Sequence, residues 1–159
     1  MHLNQRKQRG LTLVESMVAL LVISIGLLGI AALQITAMKQ NSSALHHSQA
    51  VWIGYNMADR IRANISQFAG YAGIDTNNGY SQDCMSGPCN TVELITADAA
   101  DWATEIRNLP GGRGIISGNA TQLVIAVMWD DEGTGTATGT GCDPTNAADL
   151  TCYTVTMVQ

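Results

Sequence analysis

The stretch that decides the fold is residues 16–38, which read SMVALLVISIGLLGIAALQITAM and contain no Asp, Glu, Lys or Arg. An apolar run of this length can cross a bilayer as one helix. Arg6, Lys7 and Arg9 lie on its N-terminal side, and the positive-inside rule places such a basic flank in the cytoplasm. The sequence therefore predicts one membrane span, with everything after Lys39 on the opposite side of the membrane.

The charge of the chain restricts its partners. Beyond Gly10 there are thirteen acidic and five basic residues, a formal charge of −8. General binding of nucleic acid needs a basic surface that displaces counterions, so nucleic acid is not expected as a partner. The length of 159 residues allows one domain with an appendage, since two ordinary domains need a longer chain.

The apolar run differs from an ordinary secretory signal peptide, which ends in small residues at a cleavage site. Residues 31–35 read AALQI, and the helical pattern continues without such a site. Glu15 lies just before the run, where an ionisable group is costly unless it has a partner. It is either an acid at the headgroup interface or a residue with a specific function.

Residues 10–15 read GLTLVE, follow a short basic leader and precede the apolar helix. This arrangement resembles the class III signal of type IV pilins and pseudopilins. In that family a prepilin peptidase cuts after the glycine on the cytoplasmic face and methylates the new amino terminus. The resemblance implies cleavage between Gly10 and Leu11, N-methylation of Leu11, and Glu15 as the fifth residue of the mature chain. The family usually has Phe at the position of Leu11.

The same resemblance implies three segments. Residues 1–10 would be a cleaved leader, residues 11–38 the transmembrane and filament-core half of the first helix, and residues 39–159 a globular domain. The domain is expected in the periplasm, first on the inner membrane and later in an extracellular type IV pilus. Glu15 would meet the positive amino terminus of a neighbouring subunit in the filament core, because a buried charge survives only if it is paired.

The partners that the resemblance implies are other major and minor pilins through the first helix, the prepilin peptidase, the inner-membrane assembly platform and a tip adhesin. The implied function is that of a minor pilin supporting pilus assembly, twitching motility and adhesion. Two alternatives remain open: a minor pseudopilin of a type II secretion system, and a membrane-anchored sensor or enzyme domain.

Residues 59–64 read DRIRAN, follow residues 55–58, YNMA, and resemble the helix end of one minor-pilin subfamily. Simple chemistry offers another interpretation, in which Asp59 and Arg62 form an ordinary contact between helix positions i and i+3.

The long helix is predicted to continue to about Ile65, where residues including Gly70 open a polar loop. A seven-residue spacing and its neighbours predict the face that packs on the domain: Ala44, Val51, Ala58 and Ile65, with Leu45, Trp52, Tyr55 and Ile61. A second helix is predicted from Ala97 to Leu109, with Thr96 or Asp98 as its cap.

Alternating apolar residues predict strands at Gly114–Ser117, Gln122–Trp129 and Cys152–Val158, the first two joined as a hairpin. The predicted fold class is α+β and pilin-like: a long N-terminal α-helix, with its N-terminal half transmembrane, packed on a small antiparallel β-sheet.

Cys84, Cys89, Cys142 and Cys152 all lie in the part predicted to face an oxidising compartment, where disulfides persist. Four cysteines allow three pairings. Pairing Cys84 with Cys89 and Cys142 with Cys152 is preferred because each pair is local. A zinc site from the same four residues is the weaker alternative.

The sequence has no catalytic constellation. His46 and His47 lie on the predicted long helix with no cysteine or serine motif placed to use them, and they are predicted to face solvent. Residues 130–132 read DDE and lack the alternate spacing of a calcium loop, which predicts a solvated acidic turn. We expect no enzyme activity, no cofactor and no metal site.

Overall fold

The computed structural model of the chain describes residues 12–84, 87–133, 142 and 151–159. The chain divides after Ser42 into two units. Helix α1, Leu13–Ala63, begins in the first unit and ends in the second. The predicted long helix is therefore confirmed over its described part.

The second unit adds two helical segments and a sheet to the end of α1. They are a 3₁₀ helix at Ile65–Tyr71, helix α2 at Thr91–Ile106, and strands β1 at Arg113–Gly118, β2 at Gln122–Trp129 and β3 at Thr151–Val158. The strands form one antiparallel sheet in the order β1-β2-β3. Ile125 of β2 lies opposite Ile116 of β1 and Val155 of β3. The three predicted strands and the pilin-like α+β fold are confirmed.

The face of α1 that packs on the sheet differs from the predicted one. The buried residues of α1 recur every three or four positions, at Ala50, Ile53, Gly54, Met57, Ala58 and Ile61. Only Ala58 and Ile61 belong to the predicted set, whereas Trp52 and Tyr55 are exposed. The reason is close approach: a Cβ atom on Gly54 would lie 3.3 Å from Val155 Cγ2, so the helix turns its small residues toward β3.

Helix α2 begins at Thr91 rather than at the predicted Ala97. The side-chain oxygen of Asn90 accepts hydrogen bonds from the N–H groups of Val92 and Glu93, both at 2.9 Å. The Glu93 carboxylate accepts the N–H of Asn90 at 2.9 Å. This reciprocal capping box fixes the start of the helix, and the predicted caps Thr96 and Asp98 lie inside it. The helix ends at Ile106, three residues before the predicted Leu109.

The segment after α1 is more ordered than the predicted polar loop. Its 3₁₀ helix buries Phe68 and Tyr71. The chain then runs beside β1, where the N–H of Gly73 donates to the carbonyl of Ile116 and the N–H of Ile116 donates to Ile74, both at 2.8 Å. This segment therefore covers the outer edge of β1.

Candidate assembly site

The first unit presents an apolar helix surface. Every side chain of residues 13–38 is exposed, and an 18-residue window of α1 has a mean hydropathy of 2.5 with no residue buried. Among the described residues, α1 is the one helix long and apolar enough to cross a membrane. Residues 13–38 extend over about 39 Å of helix at 1.5 Å per residue, more than the ~30 Å hydrocarbon core of a bilayer.

Two hydroxyl groups inside this surface donate hydrogen bonds within the helix. Ser24 Oγ donates to the carbonyl of Leu20 at 2.7 Å, and Thr36 Oγ1 donates to the carbonyl of Ala32 at 3.1 Å. A hydroxyl with an internal acceptor is tolerated in lipid, where water cannot replace a lost hydrogen bond.

The start of α1 contains the residues that carry the processing prediction. Gly10 and Leu11, the predicted cleavage and methylation positions, lie outside the described residues. Glu15 is the third residue of α1, exposed, and its N–H donates to Thr12 Oγ1 at 3.3 Å. A carboxylate in the first turn is favoured by the helix dipole. Glu15 therefore supports the start of the helix, and its pairing with a neighbouring subunit stays a prediction.

At the other end of α1, the guanidinium of Arg60 forms ion pairs with three carboxylates of α2. Arg60 Nη1 lies 3.2 Å from Asp98 and 3.0 Å from Asp101, and its Nη2 lies 3.4 Å from Glu105. Burial acts to lower the pKa of Arg60, but its hydrogen bonds to Asp101 and Asp98 outweigh burial and raise that pKa. For Glu105, burial raises the pKa, and Arg60 opposes the rise. Three acids with one base leave this strip of α2 with excess negative charge.

Asp98 also belongs to a buried network that reaches the 3₁₀ helix. The Tyr71 hydroxyl donates to Asp98 Oδ2 at 2.6 Å. Asn64 Nδ2 donates to the Tyr71 hydroxyl at 3.2 Å and to the carbonyl of Thr91 at 2.7 Å. Burial, followed by the hydrogen bond to Asp98, raises the pKa of Tyr71. The network joins the end of α1 to α2 through side chains that are almost fully buried.

These contacts explain the polar residues among 59–64, the segment that resembles the helix end of a minor-pilin subfamily. Arg62 Nη1 lies 2.6 Å from Asp59 Oδ1 on the surface, so the ordinary i,i+3 contact is confirmed. The residues with long-range polar contacts are instead Arg60 and Asn64. These contacts are not among the sequence-based predictions, although three acids share one face of α2 in the sequence: Asp98, Asp101 and Glu105.

The acidic turn after β2 contacts α1 near Ser43, where the second unit begins. Asp131 accepts a hydrogen bond from Ser43 Oγ and lies 3.5 Å from His46 Nδ1. The prediction that the histidines face solvent is therefore wrong for His46, which is half-buried, and the turn is not wholly solvated because Asp130 is buried. Ser43 and His46 both contact Asp131, which is not the arrangement of a nucleophile with its base.

His47 is exposed, as predicted, but its ring also contacts the sheet. Its ring makes edge-to-face contacts with Trp129 at 5.9 Å and Tyr153 at 6.0 Å between centroids. The edge-to-face geometry is one that aromatic rings favour, so His47 helps to place α1 on β2 and β3.

The four cysteines form two local disulfides in the structure. Cys84 is joined to Cys89, and Cys142 is joined to Cys152, with Cα atoms 5.4 and 5.8 Å apart. Both separations are usual for disulfides. The second bond ties residue 142 to the start of β3.

A helix with an exposed apolar N-terminal part, packed by its C-terminal part on a small antiparallel sheet, defines the class of pilin-like α+β proteins. Two segments of the chain also match known protein families. Residues 32–100 match the Tt1218-like family, described as type IV pilin Tt1218. Residues 5–31 match the prokaryotic N-terminal methylation motif. No curated protein and no solved structure matches the chain.

The two family matches support a type IV pilin structural subunit that is anchored in the membrane and assembled into a pilus. Pilins are structural proteins, which agrees with the expectation that this chain is not an enzyme. The family also indicates interaction with other pilins and with membrane assembly machinery.

Proposed function

We propose that this chain is a minor pilin, a structural subunit of the tip or priming complex of a type IV pilus. Within that group we assign it to the PilV subfamily, also called type IV pilus modification proteins, on the resemblance of residues 55–64. The protein is held in the inner membrane with residues 39–159 in the periplasm and is then extracted into the pilus. There it supports pilus assembly, and through the pilus it supports twitching motility and adhesion.

The observation that carries the proposal is the continuity of α1. Its exposed apolar part and its domain-packing part belong to one uninterrupted helix. Cleavage after Gly10 therefore removes only the basic leader and leaves the apolar helix attached to the folded domain. The match to the methylation motif over residues 5–31 supports this processing.

The chemistry of this function is noncovalent assembly. Pilin helices stack in a filament core, where a lipid-facing apolar surface can exchange lipid contacts for contacts with other helices. Among the residues that the structure describes, packing requires neither Gly26 nor Gly29, because a Cβ atom on either meets nothing within 4 Å. Small residues at such positions allow a neighbouring helix to approach closely.

A minor pseudopilin of a type II secretion system is the second candidate, because it would share the leader, helix and peptidase. Residues 59–64, the PGG sequence at 110–112 and the two cysteine pairs favour the pilus. Gene neighbourhood separates the two: a pilus cluster with a large tip adhesin supports the proposal, and a secretion cluster supports the alternative. The sensor or enzyme alternative does not account for Gly10 and Glu15.

The test is an intact mass measurement on protein extracted from membranes and from sheared pili. We expect loss of residues 1–10 and the addition of one methyl group on Leu11. Replacing Gly10 with a bulky residue, as in Gly10→Val, should leave the leader attached. Full-length wild-type chain in cells with active prepilin peptidase would contradict the pilin assignment.

A further inference from the structure

A pocket opens between α1 and the C-terminal end of α2 in the second unit. Its volume is about 210 Å³, and its lining residues are Gln49, Trp52, Ile53, Glu105 and Asn108. The Trp52 side chain is 61% exposed, although an indole is the largest apolar surface that a residue can bury. The pocket, named here the Glu105 pocket, therefore combines an accessible aromatic face with a carboxylate and two side-chain amides.

The carboxylate of this pocket lacks a full set of partners. Glu105 Oε1 lies 3.4 Å from Arg60, while Oε2 is buried and has no hydrogen-bond partner among the residues that the structure describes. Arg60 is already shared with Asp98 and Asp101. A buried carboxylate oxygen without a donor is costly, and Arg60 compensates the charge of Glu105 only in part. The Glu105 carboxylate, which is 23% exposed, therefore attracts a cation that enters the pocket.

We propose that the Glu105 pocket receives the lysine or arginine side chain of a neighbouring pilin subunit in the assembled pilus. The Trp52 ring offers its face to the cation, Glu105 supplies the opposite charge, and the amide oxygens of Gln49 and Asn108 accept the remaining N–H groups. This inference rests on the proposed function, because it needs a neighbouring subunit.

Charge decides which subunit fits. Residues 43–159 contain twelve acidic and four basic side chains, a formal charge of −8. Two copies of this domain therefore repel one another, whereas a subunit with a basic surface is attracted. The occupant is a different pilin, with its basic side chain directed at the end of α2.

The experiment places a photoreactive p-benzoylphenylalanine at Gln49 of the full chain in piliated cells and irradiates intact pili. We expect a cross-link to another pilin, on a peptide that contains the entering lysine or arginine. Glu105→Gln should lower the cross-link yield about tenfold, because an interfacial cation loses its buried counter-charge. The matched control is Asp101→Asn, which neutralises an Arg60 partner that is 67% exposed and lies outside the pocket.

Two further variants keep the test independent of folding defects. Trp52→Leu retains Glu105 and should also lower the yield, and Glu105→Lys should be rescued by replacing the mapped basic residue of the partner with Glu. Equal yields in Glu105→Gln and Asp101→Asn would overturn the inference, as would a cross-linked peptide with no basic residue. Absence of the wild-type chain from sheared pili would instead refute the proposed function on which the inference depends.

Discussion

At the residue scale, polar side chains between the C-terminal end of α1 and α2 determine how these two helices pack. Tyr71, Asp98 and Asn64 form a buried polar network in a largely apolar core, and Arg60 joins this network through Asp98 from the partly exposed edge of α2. Buried ionic contacts add little net stability, but they are satisfied in only one arrangement of their elements. These residues therefore fix how α2 and the 3₁₀ helix lie on α1, while the apolar core supplies most of the driving force.

The first prediction concerns Glu15. If its carboxylate pairs with the amino terminus of a neighbouring subunit, Glu15→Ala leaves that amine without a partner, a loss that can reach about 3 to 5 kcal/mol in a dry site. Membrane insertion should survive, because removal of a charge makes the span easier to bury. Quantitative immunoblotting of inner-membrane and sheared-pilus fractions should therefore show normal insertion and reduced incorporation.

The matched control for this prediction is Glu15→Gln, which keeps the size of the side chain at the third helical position but removes its charge. If pairing matters, Glu15→Gln should lose incorporation as Glu15→Ala does, with Leu11 methylation checked by mass. Wild-type amounts of both variants in the sheared fraction would discard the pairing mechanism.

A second prediction at this scale is a pH dependence from Asp75. Arg113 Nη2 lies 2.6 Å from Asp75 Oδ2, and its hydrogen bond lowers the pKa of Asp75 below the ordinary value of 3.8. The pair therefore stabilises the fold above about pH 4, and this stabilisation is lost as the pH falls through the lowered pKa. Asp75→Asn should be less stable than wild type at pH 7 and lose less stability between pH 5 and pH 3.

The contribution of Glu105 to stability depends on pH in the opposite direction to that of Asp75. Because burial raises the pKa of Glu105, its ionisation opposes folding above its unfolded pKa, and acid relieves that cost. Urea unfolding in detergent, followed by tryptophan fluorescence at pH 3, 5 and 7, compares wild type with Asp75→Asn and Glu105→Gln. Parallel stability profiles for wild type and Asp75→Asn would contradict the role of the Asp75 and Arg113 pair.

At the element scale, the capping box is what starts α2. Asn90→Ala removes the acceptor for two backbone N–H groups and should destabilise the second unit by about 1 kcal/mol. Asn90→Asp should retain most of the cap, because a carboxylate accepts the same bonds. Urea unfolding midpoints of the three proteins measure the difference, and equal midpoints for Asn90→Ala and wild type would show that the cap adds nothing.

The elements themselves follow from local pattern. The apolar run and its continuation predict α1, and alternation predicts the three strands, because each signal is contained in consecutive residues. The observed start of α2 lies before the predicted one, because the capping box at Asn90 precedes the apolar face from which the helix is predicted. Its signal, an Asn followed three residues later by Glu93, was present in the sequence.

The packing of the elements does not follow from local pattern. A helix with apolar residues on several sides has no unique buried face, and α1 turns Gly54 rather than Trp52 toward the sheet because β3 lies so close. The contacts of Arg60 and Tyr71 join residues more than twenty positions apart. Such contacts depend on tertiary arrangement, which one sequence does not specify by periodicity.

At the scale of the whole molecule, exposed and buried apolar residues are separated along the chain. The described residues of the hydrophobic core lie between Ala50 and Met157, whereas the large exposed apolar side chains are concentrated in residues 13–38. A continuous exposed apolar surface on that scale marks a membrane or protein contact. The second unit contains the described hydrophobic core, so we expect it to fold without the first unit.

The last prediction tests this separation with a chain of residues 39–159, which keeps Ser43 and its contact with Asp131. We expect a protein that is soluble without detergent, because the long apolar surface is gone and the formal charge is strongly negative. It should form both disulfides and unfold in one cooperative urea transition, as single domains of this size usually do. The full chain in detergent micelles should have a transition of similar slope.

A variant of residues 39–159 with Cys142 and Cys152 both changed to Ser shows that the assay is sensitive. In the wild type the Cys142–Cys152 disulfide closes a loop with a sequence separation of 10. Its loss should lower the free energy of unfolding by about 2 to 3 kcal/mol. If residues 39–159 instead aggregate, or lose near-ultraviolet circular dichroism while the full chain in detergent retains it, the apolar part of α1 is needed for folding. The helix would then be part of one cooperative unit and not a separable anchor.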